Sequence, residues 1–373
     1  MSYAHITGWG KCLPPAVLTN ADLATFLDTD DEWIVSRTGM RERRISHVQV
    51  SELAAVACER ALAAAGKSAA DVDLIVFGST SFDQMCPNSS SGVQQILGAS
   101  NAACMDLNTA CTSGMYSLSV APSMIKTGVV NSALVIGAEV ISPFMDWQDR
   151  NVAVLFGDGA AAFYLEADAE PGGVIAEALG CYGEARDALA VDGWGTRFAN
   201  QGYHFGETHW HFNGQEIFKK AVAGMASASQ QVLEKASALP ENIDLVVPHQ
   251  ANLRIIDSLA KRLKLSADKL FVNVERYGNM SAATAPVALV EALEAQRIAP
   301  GGLVLMPAFG GGLTWSAHLL RWGSRVQPVA ESSVELPACT ATGLELVNAI
   351  CAQKNACGAE INRVSNSADP LPK

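Results

Sequence analysis

Apolar positions along the chain fall into two alternating patterns. Short unbroken runs such as DLIVFGS (73–79), ALVIGAEV (133–140) and DLVVPHQ (244–250) read as buried strands. Alanine-rich stretches with apolar residues at helical spacing, SELAAVACERALAAAG and KKAVAGMASASQQVLEKA, read as helices that bury one face. Strands alternating with helices predict an α/β protein with parallel, helix-covered sheets.

The order of these patterns repeats. DLIVFGS and DLVVPHQ each follow one of the alanine-rich helices. Cys111, in MDLNTACTSGMYSL, comes 38 residues after Asp73, and Asn279, in VNVERYGNMSAATAPVAL, comes 35 residues after Asp244. Each sits where a short strand gives way to a small-residue helix start. ALVIGAEV then matches GGLVLMPAFG, and AAAFYLEA matches TWSAHLLRW. A repeat this long is a duplicated domain rather than a solenoid. It divides the chain into halves at 1–172 and 173–323, with 324–373 left over as an extension. Pseudo-twofold packing brings equivalent loops to one crevice at the strand carboxyl ends, and Cys111, His249 and Asn279 all lie at such ends.

Composition narrows the picture. The chain has 373 residues, 49% hydrophobic and 17% charged, which excludes a wholly disordered chain. A net charge of -12 argues against a general nucleic-acid binder. The nine cysteines are scattered, with no C-x-x-C, and read as reduced thiols. MSYAHITGWGKCLPP has no signal-peptide pattern, and no run is long enough to span a bilayer, so a cytoplasmic protein without a membrane partner is expected.

The candidate chemistry centres on Cys111. A thiol at a helix N-terminus is expected to ionise readily, and a thiolate attacks thioesters well. His249, in VVPHQANLRII, can donate a hydrogen bond or shuttle a proton, whereas Asn279 is a pure donor. Two neutral donors aimed at one point stabilise an oxyanion or an enolate without any metal. The glycines of AFGGGLTW (308–315) fit a tight turn and let backbone N–H groups approach a substrate, with the Cys111 N–H as partner. FGDGAAAFYL lacks both nucleotide-loop spacings and reads as a structural turn beneath the site. Pro122 is expected to kink or break the helix that follows Cys111.

TAC-TSG, VPHQANLRI, YGNMSAATAP and AFGGGLTW, together with DTDDEWIVSRTGMRERR and DRNVAVLFGDGAA, resemble the β-ketoacyl-acyl-carrier-protein synthase III family of the thiolase superfamily, over about 2–322. The resemblance implies a duplicated thiolase-like fold of five layers, α-β-α-β-α, and a homodimer. It implies a decarboxylating Claisen condensation in fatty acid biosynthesis. An acyl-CoA acylates Cys111, malonyl-ACP loses carbon dioxide, and His249 with Asn279 stabilises the enolate. The implied oxyanion hole is the N–H groups of Cys111 and Gly311. The implied coenzyme A site is Trp33, Arg37, Thr38 and Arg150, with Phe218 and Asn252 along the pantetheine tunnel. Coenzyme A enters as substrate, and no resident cofactor is implied. Lys219, Arg254, Lys261 and Arg262 form a candidate patch for an acidic acyl carrier protein.

The sequence departs from that family in three places. Cys86 stands before Pro87 where acetyl-primed members carry a bulky aromatic, which suggests an acyl pocket open to a medium-length chain. The segment ALAVDGWGTRFANQGYHFGETHWHF is long and aromatic and reads as a cover over the tunnel mouth. Its His209 and His211 lack a third ligand of defined spacing, so no metal is expected. After Trp322, SRVQPVAESSVELPACT reads as linker and TGLELVNAICAQKNA as a short helix with Leu344, Val347, Ile350 and Cys351 on one face. The competing readings are an acyltransferase of secondary metabolism that uses another acceptor, and a non-catalytic acyl-binding scaffold.

Overall fold

The computed structural model describes residues 2–199 and 208–367, with side chains to 355. Two sheets carry the fold. The first runs, in spatial order, Tyr3–Cys12, Gly159–Asp168, Ser132–Glu139, Leu74–Gly78 and Ala103–Leu107. The second runs Gly173–Cys181, Thr314–Arg321, Leu303–Gly310 and Leu245–Val246. A parallel bridge from Val246 to Leu270 stands where a fifth strand would be. Order and strand direction coincide in the two sheets, so the sequence repeat is a repeat of topology.

The sheets are mixed rather than parallel. Leu74–Gly78 pairs in parallel with both of its neighbours, and Leu245–Val246 with Leu303–Gly310, but the remaining pairs are antiparallel. The physical reason is the connection: parallel neighbours need a helical crossover, whereas Gly310 passes to Thr314 through a tight turn that reverses direction.

Between the sheets lie the helices Ser113–Lys126 and Thr284–Glu294, one from each half. Residues 284–293 of the second are all buried, as expected of a helix apolar all round. Val50–Ala65 covers the outer face of the first sheet; Gly214–Lys235 and Leu253–Leu263 cover the second. These are the five layers. Pro122 lies inside Ser113–Lys126 without ending it. Packing on both faces outweighs the one backbone bond that proline removes. Glycine at 78 permits the close fit beneath, because a Cβ there would meet the backbone of Ser113 at 2.5 Å.

The extension is a strap. Val329 N–H donates to the Ala64 carbonyl, Arg60 pairs with Glu335 at 2.8 Å, and His47 Nε2 donates to the Pro337 carbonyl. The strap ends in the helix Gly343–Ser367, whose Val347, Leu344, Ile350 and Cys351 seat on a cluster containing Leu18, Ile45, Met145 and Trp147. Lys354 Nζ donates to the Met145 carbonyl at 3.0 Å. Val347 is 1% exposed. Val347→Asp should therefore lower stability by about 2–4 kcal/mol, read as a fall in the thermal or denaturant midpoint, because it buries an unpaired carboxylate. An unchanged midpoint would mean that the helix does not dock in solution.

Candidate active site

Cys111 sits between the strand Ala103–Leu107 and the helix Ser113–Lys126, two residues before the helix begins. The turn is held by Ser113 Oγ, which donates to the Ala110 carbonyl and accepts from Thr109 N–H. Thr112 Oγ1 meets Thr314 Oγ1 at 2.8 Å, which ties this turn to the other half. Gly310 makes the approach possible: a Cβ there would meet the Cys111 nitrogen at 2.8 Å. As a result the Cys111 sulfur lies within hydrogen-bonding reach of the N–H groups of Gly311 and of Cys111 itself. The two N–H groups expected to bind an oxyanion are thus brought to one point.

The expected ready ionisation of Cys111 is not what the structure gives. Burial pushes the thiol up to about 11, outweighing the neighbouring N–H groups. By surface area the residue is only partly buried, and it lines a cavity.

His249 follows the short strand Leu245–Val246, its N–H bonded to the Pro307 carbonyl, and is 4% exposed. Burial lowers its pKa to about 3, so the imidazole is neutral at physiological pH. Its Nδ1 lies 2.5 Å from Thr284 Oγ1, whose other contact is the Ser281 carbonyl at 3.0 Å. The carbonyl can only accept, so the single threonine hydrogen serves one of these two contacts; assigning it to the shorter one puts the imidazole proton on Nε2. Asn279 is 6% exposed, and its Oδ1 accepts from Ser281 N–H at 2.8 Å. That bond fixes the carboxamide and leaves its NH2 as the free end. Gly278 before it has φ 62°, and a Cβ there would strike the Leu155 carbonyl at 2.7 Å.

Cys111, His249 and Asn279 line one cavity of about 720 Å³. Trp33, Arg37, Thr38, Phe218, Lys219, Asn252 and Arg254 line it too. Two guanidinium groups lie close to the Trp33 ring, Arg37 at 4.5 Å and Arg150 at 5.1 Å from its centroid. Asn252 caps the helix Leu253–Leu263 and donates to the Arg37 carbonyl at 3.1 Å, which joins the two sides of the mouth. Leu189 and Phe212, on paired strands Leu189–Asp192 and His209–Phe212, add to the wall. The middle of that aromatic segment, 200–207, lies outside the described residues, so a cover over the mouth is described only at its two ends.

Other candidates are placed apart. Cys86 is exposed and does not line the cavity, because the loop before the helix Ser89–Leu97 faces outward. Within one chain, its small side chain cannot widen an acyl pocket. Lys219 and Arg254 stand at the rim, whereas exposed Lys261 and Arg262 lie in the last turn of their helix, outside the lining. His211 pairs with Asp192 at 2.8 Å. Among the described residues, no cluster of three His, Cys, Asp or Glu side chains is set to hold a metal.

Sequence reasoning passed over the carboxylates that organise the site. Asp158, in FGDGAAAFYL, accepts from the N–H groups of Ser46, Ile141 and Ser142, and burial pushes it up to about 6. Glu139, the last residue of its strand, is 0% exposed. A charged residue ending the apolar run ALVIGAEV was the signal that could have revealed it.

The family models that match this chain are those of 3-oxoacyl-[acyl-carrier-protein (ACP)] synthase III, over residues 105–183, and its C-terminal domain, over 233–322. The chain is 51% identical over 352 residues to beta-ketoacyl-[acyl-carrier-protein] synthase III 2 of Vibrio cholerae, covering 93% of this chain and 96% of the relative. It is 45% identical over 325 residues to the synthase III of a Roseiflexus species, covering 86% and 99%. Among solved structures, the 3-oxoacyl-[acyl-carrier-protein] synthase III of Aquifex aeolicus superimposes with a TM-score of 0.80 at 41% identity, covering 86% of this chain and all of that one. No described helix is long and apolar enough to cross a membrane. A duplicated thiolase-like fold with Cys111, His249 and Asn279 on one cavity, and relatives this similar over nearly their whole length, make the chain a member of the 3-oxoacyl-ACP synthase III family, a condensing acyltransferase of fatty acid biosynthesis.

Proposed function

We propose that this enzyme takes an acyl group from an acyl-CoA onto Cys111 and condenses it with malonyl-ACP, as a cytoplasmic enzyme with no resident cofactor. The observation that carries the reading is the single cavity shared by the sulfur, the imidazole and the carboxamide, with Trp33 and Arg37 in its lining and Arg150 beside the Trp33 ring. An indole face and fixed cations suit an adenine nucleotide bearing phosphates. The sulfur attacks the thioester carbonyl, whose developing oxyanion takes the N–H groups of Cys111 and Gly311. CoA leaves as the thiol. Malonyl-ACP then loses carbon dioxide, and its enolate oxygen accepts from His249 Nε2–H and Asn279 NH2 as its carbon attacks the acyl-cysteine. Exposed Lys219 and Arg254 at the rim supply positive charge for an acidic carrier protein; Lys261 and Arg262 would extend it along the helix.

A homodimer fits the sheet edge. Ala103–Leu107 is an outermost strand with one side unpaired, and the nearby loop exposes Met85 to 91%. Light scattering should give twice the chain mass.

The deciding experiment is a series of acyl-CoAs of increasing length against malonyl-ACP, with products identified by mass. Extension of the primer by two carbons with carbon dioxide release supports the reading; acyl transfer to another acceptor refutes it. Thr284→Val tests the imidazole's proton. With Nδ1 no longer accepting from the hydroxyl, condensation should fall by about tenfold or more while Cys111 acylation stays within a few-fold.

A further inference from the structure

Two turns must meet for this site to exist, and neither fixes itself. The glycine run 310–312 leaves the Gly311 peptide free to rotate, and Gly312 takes φ 126°, which favours glycine. On the facing turn, Ala110 has a left-handed backbone, φ 53°, unfavourable for a residue with a Cβ. The two turns nonetheless lie in direct contact. A Cβ on Gly310 would stand 2.8 Å from the Cys111 nitrogen and 3.0 Å from that of Thr112. One on Gly311 would stand 3.2 Å from the Ala110 Cβ. Movement of about 0.5 Å between the turns is enough to spoil two donors aimed at one oxygen.

Two threonines bridge them. Thr314 ends the glycine turn, and its backbone N–H donates to the Gly311 carbonyl. Its Oγ1 lies 3.0 Å from that carbonyl, 2.9 Å from the Thr109 carbonyl on the cysteine turn, and 2.8 Å from Thr112 Oγ1. Thr112, the residue after the cysteine, places its Oγ1 2.7 Å from the Thr109 carbonyl and 3.0 Å from the Thr109 hydroxyl. Each hydroxyl carries one hydrogen. Given to the two shortest contacts, the hydrogens run from Thr314 to Thr112 Oγ1 and from Thr112 to the Thr109 carbonyl. The glycine turn is thus joined to the cysteine turn through the Thr314 side chain. Both threonines are buried, so water does not readily take the place of either hydroxyl.

We propose that Thr314, hydrogen-bonded to Thr112, is a positioning residue for the oxyanion hole: it latches the glycine turn to the cysteine turn and keeps the Gly311 and Cys111 N–H groups on one point. This rests on the reading of Cys111 as acyl acceptor. As the Cys111 sulfur bonds to the thioester carbon, an electron pair moves onto the carbonyl oxygen, which takes both N–H groups. When the carbonyl re-forms, the bond to the CoA sulfur breaks. CoA departs as the thiol with the proton that Cys111 gave up. The same two donors serve again when the malonyl-derived carbon attacks the acyl-cysteine. The enolate is held elsewhere, by His249 and Asn279. Thr314 therefore bears on both carbonyl additions and not on decarboxylation.

Thr314→Val, Thr314→Ala and Thr314→Ser test the latch. Single-turnover acylation of Cys111 is read by protein mass across acyl-CoA concentrations, beside decarboxylation of malonyl-ACP. Valine and alanine are expected to lower the saturating acylation rate by about 10–30-fold, less than outright loss of an oxyanion donor. The acyl-CoA concentration giving half that rate, and decarboxylation, should stay within about twofold of wild type. Serine keeps the hydroxyl and should return acylation to within about threefold of wild type. A residue that merely fills space predicts otherwise: valine, closest in shape to threonine, would acylate at the wild-type rate, and serine would do no better than alanine. Either result overturns the proposal, as does a fall in decarboxylation equal to that in acylation. Alanine puts no methyl group where the hydroxyl stood, so it decides the matter if the valine variant does not fold; undiminished acylation in it overturns the latch. If wild type itself takes no acyl group on Cys111, the acyl-acceptor reading fails and the latch falls with it. A loss confined to the variants tells the two apart.

Discussion

Cys111→Ala is expected to lower condensation by about four orders of magnitude or more and to leave no acyl adduct on the protein after incubation with acyl-CoA. Alanine preserves the backbone that presents the Cys111 and Gly311 N–H groups, so the oxyanion site survives without a nucleophile. Cys111→Ser should do no better, because a hydroxyl in this enclosed position is harder to ionise than a thiol. Decarboxylation of malonyl-ACP should persist in both variants, since the His249 and Asn279 donors do not depend on the sulfur. Intact-protein mass and carbon dioxide release measure the two halves separately. Condensation at wild-type rate in Cys111→Ala would refute the covalent route.

The second large effect lies in the opposite half-reaction. His249→Ala and Asn279→Ala should each slow decarboxylation and condensation by about 10²–10³-fold while leaving Cys111 acylation within a few-fold. The double variant should fall short of the product of the single losses, because both groups serve one oxygen. Burial also fixes the sign of the pH response. It disfavours the imidazolium, so His249 takes a proton only as pH falls to about 3 and stays neutral from pH 5 upward. The condensing step should therefore show no acid limb near pH 6.5 from this residue, where an exposed histidine would give one. A limb there that vanishes in His249→Ala would show that the imidazole is ionised in the working enzyme. Equal loss of acylation and condensation would dismiss the division of labour.

Much of this was legible along the chain. The matched runs DLIVFGS and DLVVPHQ, and the matched positions of Cys111 and Asn279, disclosed the duplication. The structure returns it as two sheets of the same order. Cys111 and His249 could be picked out because each follows a strand, where α/β folds place their ligands, whereas Asn279 follows the short helix Val274–Tyr277 and not the strand its sequence suggested. Strand direction was not legible. Alternating helices and strands suggested parallel sheets, but a tight turn such as Gly310 to Thr314 reverses the chain, and apolar periodicity does not record direction. Within one chain Cys86 stands off the cavity, and its neighbours in sequence said nothing about which way its loop faces.

Sequence alone determined the class of fold, the duplication, the chemical types at the site and the helical face of the extension, because each is written in local spacing and side-chain identity. Tertiary structure decided the protonation of those groups and their partners. Cys111 was expected to ionise readily at its helix start, yet enclosure between two halves of the chain holds the proton on its sulfur. Desolvation depends on everything packed around an atom, and residues far apart in sequence, such as Glu139 and Ser281, supply that surrounding.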